Sequence, residues 1–159
     1  MKIDIICVGK IKEKFYSEAL KEYLKRLSRY ATVDVIEVKD EKTPEGASLH
    51  EEELILKKEG ERINRHIDDN AYLISLCIEG EALSSEEFSK LLMNLENQGK
   101  SHIQLVIGAS LGIDSEIKKK SDYKLSFSKM TFPHQLMRVI LTEQIYRAYR
   151  IKNNEPYHK

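Results

Sequence analysis

Apolar and polar positions along the chain switch repeatedly between the period of a strand and the period of a helix. Residues 2–8 (KIDIICV) form a short apolar run, which predicts a strand. An amphipathic helix is predicted next, because apolar residues recur at helical spacing through 15–27. The cycle repeats with a strand at 32–38 (TVDVIEV) and a helix around 49–67, after a polar loop at 39–48 that contains Pro and Gly.

The second half of the chain continues this alternation. Apolar runs predict strands at 71–78 (AYLISLCI), 102–107 (HIQLVI) and 123–127 (YKLSF). Helices are predicted to begin near Ser84, Asp114 and Pro133. Five strands that alternate with helices, several of them apolar on both faces, predict an α/β fold with a parallel sheet flanked by helices. We expect residues 1–159 to form a single domain.

Composition narrows the class of protein. The chain is 41% hydrophobic and 33% charged, as in a folded globular protein. It has no apolar segment long enough to cross a bilayer and no secretion signal, so we expect a cytoplasmic protein without a membrane role. Cys7 and Cys77 lie in apolar runs and are expected to be reduced core residues. In the absence of a Cys/His cluster, no metal site is predicted.

The charge is unevenly distributed although the net charge is zero. Residues 118–159 contain 10 Lys and Arg against 3 Asp and Glu, a net charge of +7, which residues 1–117 balance. This polarity suggests an anionic partner that docks on the carboxyl-terminal part. A solvated, lysine-rich helix at 118–120 explains the same charge without a partner.

Ligands of open parallel sheets bind outside the carboxyl ends of the strands, so the residues after each strand are the candidates for a site. Three segments stand out there: 76–81 (LCIEGE), 108–112 (GASLG) and 127–134 (FSKMTFPH). None matches a dinucleotide fingerprint or a phosphate-binding loop. The glycines alone are as typical of turns as of ligand sites. His134 follows Pro133 at a helix start, where a lone histidine is usually structural.

The last predicted helix is apolar on nearly every side over residues 136–151. Such a helix is expected to be buried on more than one side, and a second subunit is the simplest additional cover. Glu143 and Arg147 stand four residues apart, in the order that favours an ion pair within a helix. Arg150 is left to bind an anion. The sequence therefore predicts a homodimer.

The carboxyl-terminal part of the chain contains two specific motifs, FSKMTFPHQLMRVILTEQIYRAY at 127–149 and NNEPYHK at 153–159. In these motifs the chain resembles the RlmH (YbeA) family of SPOUT RNA methyltransferases. The first strand, which ends in Val-Gly-Lys at 8–10, and the IGASLG loop at 107–112 are also similar to the family. Ala109 stands where the family usually has a second glycine. The likeness extends over essentially the whole chain.

This resemblance implies an α/β fold with a deep carboxyl-terminal trefoil knot, which is an exception to the rule that chains do not thread loops. In the family the knot forms the site for S-adenosylmethionine. Matching positions imply cofactor contacts at Leu76, Gly108, Phe127, Ser128, Lys129, Met130, Thr131 and Phe132.

The resemblance also implies an activity: methylation of N3 of pseudouridine 1915 in helix 69 of 23S rRNA, by a homodimer acting on the ribosome. His134, Arg147, Tyr157 and His158 are the implied residues for binding or activating the base, with Lys159 on an RNA phosphate. Arg150, left to bind an anion, is expected to contact the RNA as well. A knotted RNA-binding protein without catalysis and a methyltransferase for another RNA are the alternatives, since fold does not fix substrate.

Overall fold

A computed structural model describes residues 1–159, in which five strands and five helices alternate. The strands are β1 (Lys2–Val8), β2 (Thr32–Val38), β3 (Tyr72–Ala82), β4 (His102–Ile107) and β5 (Tyr123–Ser126). The helices are α1 (Lys14–Leu27), α2 (Leu49–Asn64), α3 (Ser85–Asn97), α4 (Ser115–Lys120) and α5 (His134–Lys152). The predicted alternation of strands and helices is confirmed.

All five strands belong to one parallel sheet with the order β2-β1-β4-β3-β5. In the middle of the sheet, Ile5 of β1 stands opposite Val35 of β2 and Leu105 of β4. Because the strands are parallel, their carboxyl ends meet at one edge. The loops after β3, β4 and β5 are therefore brought together at that edge.

Helices cover both faces of the sheet, and each face has its own core. On one face, Ile3, Ile5 and Cys7 of β1 pack in a cluster that includes side chains of α1, α3 and α5. On the other face, Ile6 and Val8 pack with residues of α2 and α4. Each fully buried Ile contributes about 1.5–3 kcal/mol by leaving water. The alternation of β1 side chains thus fixes which helices lie on which face.

β3 is longer than its apolar run predicts. The predicted strand ends at Ile78, whereas β3 continues to Ala82 after a bulge between Leu76 and Glu81. Gly80 permits the pairing of β3 with β5, because the two backbones approach closely at this residue. A Cβ on Gly80 would lie 2.8 Å from the backbone carbonyl of Lys124 in β5. The pairing of β5 with β3 therefore extends the strand.

Two helices of the same chain cover a large part of α5. It packs against both α1 and α3 over the sheet, and Leu141, Ile145 and Tyr149 are buried in the core. Its remaining apolar residues are half-buried, so the expected burial on more than one side is confirmed, and the second subunit expected as further cover stays a prediction. None of the helices is both long and apolar enough to span a membrane.

Candidate functional site

A cavity of about 630 Å³ lies at the carboxyl ends of β3, β4 and β5. Its volume is within the range of about 300–1,000 Å³ that small-molecule pockets occupy. Seven of the eight residues predicted to contact the cofactor line it: Leu76, Gly108, Phe127, Ser128, Met130, Thr131 and Phe132. Lys129 is exposed and does not line the cavity. All three segments singled out in the sequence thus meet in one place.

The loop after β4 forms the tightest wall of the cavity. The amide of Gly112 donates to the carbonyl of Ala109 over 2.9 Å, which closes a turn. A Cβ on Gly108 would lie 2.2 Å from the carbonyl oxygen of Gly112, so only glycine fits there. The methyl group of Ala109 packs against the core on the α2 side of the sheet. The turn therefore accommodates alanine in place of the family glycine.

The segment between β5 and α5 also lines the cavity. Ser126 Oγ donates to the carbonyl of Ser128 over 3.2 Å, and Ser128 Oγ accepts from the amide of Met130 over 3.0 Å. These local bonds give the segment a defined turn in place of regular structure. Met130 lines the cavity while remaining 74% exposed, which places it at the mouth.

The bulge of β3 contributes cavity residues that sequence reasoning missed. Cys77 and Glu79 line the cavity together with Lys118 of α4, whose Nζ lies 2.5 Å from Glu79 Oε1. The hydrogen bond from Lys118 lowers the pKa of Glu79, so the pair is ionised. Burial raises the pKa of the Cys77 thiol. The assignment of Cys77 to the core is wrong, since it is half-buried at the cavity, whereas that of Cys7 is confirmed.

The lysines at 118–120 have carboxylate partners throughout. Lys118 pairs with Glu79, Lys119 with Glu116, and Lys120 with Asp69. The ion-paired, partly solvated helix is thus the better description of this cluster than a free cationic patch.

His134, the first residue of α5, lines the cavity. Its Nδ1 is buried without a hydrogen-bond partner, and its Cε1 is 3.3 Å from where a Cβ on Gly9 would be. Burial lowers the pKa of His134, and the charge of Arg138 lowers it further. The imidazole is therefore neutral near pH 7 and can accept a hydrogen bond or a proton.

Arg138, one turn further along α5, ties the site to the sheet. It is fully buried, donates to Glu37 Oε2 over 2.7 Å, and donates to the carbonyl of Gly9 over 2.6 Å. A buried arginine is stable only with such charge-assisted partners. Arg138 thereby holds the start of α5, and with it His134, at the carboxyl ends of β1 and β2.

The other three predicted catalytic residues form a separate cluster near the end of α5. Glu143 Oε1 accepts from Arg147 Nη2 over 2.6 Å and from the hydroxyl of Tyr157 over 3.0 Å. His158 Nε2 lies 2.7 Å from Glu86 Oε1, and its Nδ1 lies 3.2 Å from Arg147. The predicted ion pair of Glu143 with Arg147 is confirmed. The carboxylate of Glu86 is a partner of this cluster that sequence reasoning missed, as is the contact of Tyr157 with Glu143.

This cluster does not line the cavity of its own chain. His134 and Arg147 are 13 positions apart on one helix, which corresponds to about 20 Å at 1.5 Å per residue. Burial and the hydrogen bond to Glu143 raise the pKa of Tyr157 to about 12, so its phenol stays protonated. Lys159 is exposed at the chain end.

Arg150 differs from its prediction. It forms an ion pair with Glu155 and donates to the carbonyl of Pro156 over 2.9 Å, so it is not left without a carboxylate. Pairs spaced four residues apart within a helix could not reveal Glu155 as a partner, because Glu155 lies beyond the end of α5. No group of three or more His, Cys, Asp or Glu side chains in the structure is placed to hold a metal ion.

Comparison with known proteins identifies the family of the chain. The family model described as predicted SPOUT methyltransferase matches residues 1–158. Proteins named ribosomal RNA large subunit methyltransferase H are similar over their full length and the full length of this chain: 60% identical in Bifidobacterium adolescentis and 58% in Clostridium kluyveri. A further relative with this name, from Clostridium novyi, is 57% identical over the same span. The chain therefore belongs to the SPOUT methyltransferases and, within them, to the RlmH family.

Proposed function

We propose that this protein is an S-adenosylmethionine-dependent methyltransferase that modifies N3 of pseudouridine 1915 in helix 69 of 23S rRNA. The observation that carries the proposal is the cavity at the strand ends, in which three separated segments of the predicted cofactor site converge. The names of the full-length relatives support a large-subunit rRNA as the substrate. We place this activity on the ribosome, in the cytoplasm, and in one domain formed by residues 1–159.

The residues of the cavity fit the proposed cofactor. Apolar side chains such as Leu76, Phe127 and Phe132 suit the adenine ring and the methylene groups of the ligand's methionine part. The absence of a side chain on Gly108 lets the loop after β4 close tightly on Gly112, which gives this wall of the cavity its shape. S-adenosylmethionine, when bound, supplies a sulfonium methyl group that is already strongly electrophilic.

The chain's own task is then to position the acceptor base and relieve N3 of its proton. The neutral imidazole of His134 can accept a hydrogen bond or proton inside the cavity. The guanidinium of Arg147 favours the deprotonated, anionic form of the base. Tyr157 offers a protonated phenol that donates a hydrogen bond and a ring on which a base can stack. His158 and Lys159 complete the proposed set, with Lys159 on an RNA phosphate.

We further propose that the active protein is a homodimer in which these groups come together. In one chain the cavity holds only His134 of the four catalytic candidates, and a second chain can bring the cluster around Arg147 to it. Gln135 accepts the amide hydrogens of Lys12 and Glu13, so the first turns of α5 and α1 lie side by side. Phe15 is 61% exposed in that turn of α1 and offers an apolar contact for a partner.

Sedimentation tests the dimer directly. At micromolar concentration we expect a mass of about twice the 18.5 kDa of the chain, as for a two-fold oligomer. Phe15→Ser should shift the population toward monomer, while Leu49→Ser, at another exposed apolar residue, should not. A monomer that is soluble and fully active would exclude the composite site.

The path of the chain supports the deep trefoil knot that the family implies. β5 lies at an edge of the sheet, beside β3, whereas Arg138 and Gln135 anchor the start of α5 near the carboxyl end of β1. Residues 127–133 therefore cross the carboxyl ends of the strands in between. We propose that this crossing is threaded through the chain segment that precedes it.

Methylation of purified ribosomes tests the activity. Ribosomes from a strain without the corresponding gene should gain one methyl group at pseudouridine 1915 when incubated with the protein and S-adenosylmethionine, as mapped by mass spectrometry of rRNA fragments. Cofactor binding without methyl transfer would favour the non-catalytic RNA-binding protein. Transfer to a different nucleotide would favour a methyltransferase with another target.

A further inference from the structure

The tail of the chain, residues 153–159, folds back along α5. Asn154 has a φ of 53°, the left-handed conformation that asparagine tolerates better than most residues. The amide of Asn154 donates to Ile151 over 3.1 Å, and the amide of Glu155 donates to Arg150 over 2.9 Å. This turn reverses the chain, so Tyr157 returns to the side of α5 that carries Arg147.

Three side chains hold the start of the returning segment. Arg150 forms an ion pair with Glu155, and Tyr30 donates its hydroxyl to Glu155 Oε2 over 2.5 Å. Arg150 also donates to the Tyr30 hydroxyl over 3.2 Å and to the carbonyl of Pro156 over 2.9 Å. We call Tyr30, Arg150 and Glu155 the tail clamp. It joins the connection between α1 and β2, the end of α5 and the tail.

The contacts of the tail clamp engage the terminal nitrogens with which Arg150 could otherwise bind an anion. Its Nη1 faces Glu155 and Tyr30, its Nη2 faces Pro156, and its Nε is buried without a partner. The side chain is 17% exposed. An arginine that is engaged on both terminal nitrogens is poorly placed to contact a phosphate.

The residues next to the clamp provide little other anchoring, since Asn153, Asn154 and Pro156 are exposed. Beyond them, the ring of Tyr157 lies 5.0 Å from that of Tyr146 and 4.6 Å from the guanidinium carbon of Arg147. Glu155 therefore sets the point from which Tyr157 and His158 leave the turn, and their own contacts with Glu143 and Glu86 complete their placement.

We infer that the tail clamp is a positioning device: Arg150, held by Glu155 and Tyr30, fixes where Tyr157 and His158 are presented to the RNA base. The inference rests on the proposed function, because it assigns the clamp to the methylation step. Arg150 acts through the tail and does not itself contact RNA. Misplacement of reacting groups by about 1 Å can reduce a rate by about a hundredfold, so a loosened clamp should lower turnover.

The variant Glu155→Ala tests the clamp on the full-length protein. We expect kcat for ribosome methylation to fall by about tenfold to a hundredfold, with the Kd for S-adenosylmethionine unchanged. Hydrogen exchange of the peptide that contains residues 153–159 should become faster. Arg150→Lys should give the same kcat defect, because lysine keeps the charge but lacks the two-pronged donor set.

Glu96→Ala is the matched control. Glu96 lies in α3 and forms an ion pair with Lys152 near the end of α5, without touching the tail. Glu96→Ala should change neither the hydrogen exchange of the tail nor the turnover.

If Arg150 were a phosphate contact, Glu155→Ala would free it, and the KM for ribosomes would fall while kcat stayed at the wild-type value. That result, or unchanged tail exchange, overturns the clamp. Inactive wild-type protein would instead overturn the proposed function, and tail exchange would still report on the clamp.

Discussion

Replacement of Gly108 by valine is expected to abolish S-adenosylmethionine binding while leaving the protein folded. A Cβ at this position would lie 2.2 Å from the carbonyl oxygen and 2.4 Å from the carbonyl carbon of Gly112. Both atoms belong to the backbone of the turn, so the turn itself must move into the cavity or away from it. Overpacking of this kind costs about 1–3 kcal/mol, and valine adds two further methyl groups to the first clash.

The measurement is calorimetric titration with S-adenosylmethionine, with circular dichroism to verify folding. Gly108→Ala introduces the same Cβ without the added methyl groups and should raise Kd by about tenfold to a hundredfold, since each 1.4 kcal/mol is a factor of ten. Gly99→Ala is the control: Gly99 has a φ of 80° and open space around it, remote from the cavity. Wild-type affinity in folded Gly108→Val would mean that the cofactor site lies elsewhere.

Much of the fold could be predicted from local pattern. The bounds of β1, β2 and β4 agree with the sequence, because each is a short segment rich in Ile and Val. The capping box of Ser84 and Glu87 marks the start of α3, with Ser84 Oγ accepting from Glu87 over 3.1 Å and the Glu87 carboxylate accepting from Ser84 over 2.7 Å. Such signals are contained within a few residues, so they survive in any tertiary context.

What the pattern could not provide depends on contacts between distant segments. β3 runs through Glu79 and Glu81 because β5 pairs with it beyond the bulge, and two charged residues around a glycine do not indicate a strand. α5 is covered by α1 and α3, which no periodicity within α5 can reveal. The number of apolar residues in a helix therefore predicts how much of the helix is buried. It does not predict which elements the helix packs against.

The candidate site likewise has parts that the sequence predicts and parts that depend on contacts between distant segments. The rule that ligands bind at the carboxyl ends of parallel strands located the three cavity segments without any structure. The partners of the candidate site residues could not be predicted in this way: Glu86 lies 72 positions from His158 in sequence, and Tyr30 lies 120 positions from Arg150. Carboxylates that orient other side chains leave no motif, because their role is defined only by the fold.

Removal of residues 157–159 is expected to reduce methylation of ribosomes by at least about a hundredfold, the scale of losing acid/base and positioning groups. S-adenosylmethionine binding should be nearly unchanged, because none of the three residues lines the cavity. Dimerisation should also persist, since α1 and α5 remain intact. Glu143 and Arg147 keep their ion pair without Tyr157, so the loss reports on the tail itself. Methyl transfer and calorimetry on the same preparation measure both quantities.

Mixed dimers separate a tail that serves its own chain from one that serves the partner. One chain would carry Gly108→Val with an intact tail, and the other an intact cavity without residues 157–159. If the tail acts across the dimer, the mixed species regains one complete site and about half the activity of the wild-type dimer, although each parent dimer is inactive. If the tail acts within its own chain, the mixed dimer stays as inactive as its parents, and the distance between His134 and Arg147 must close by another route. Full turnover by the truncated homodimer would remove residues 157–159 from the reaction altogether.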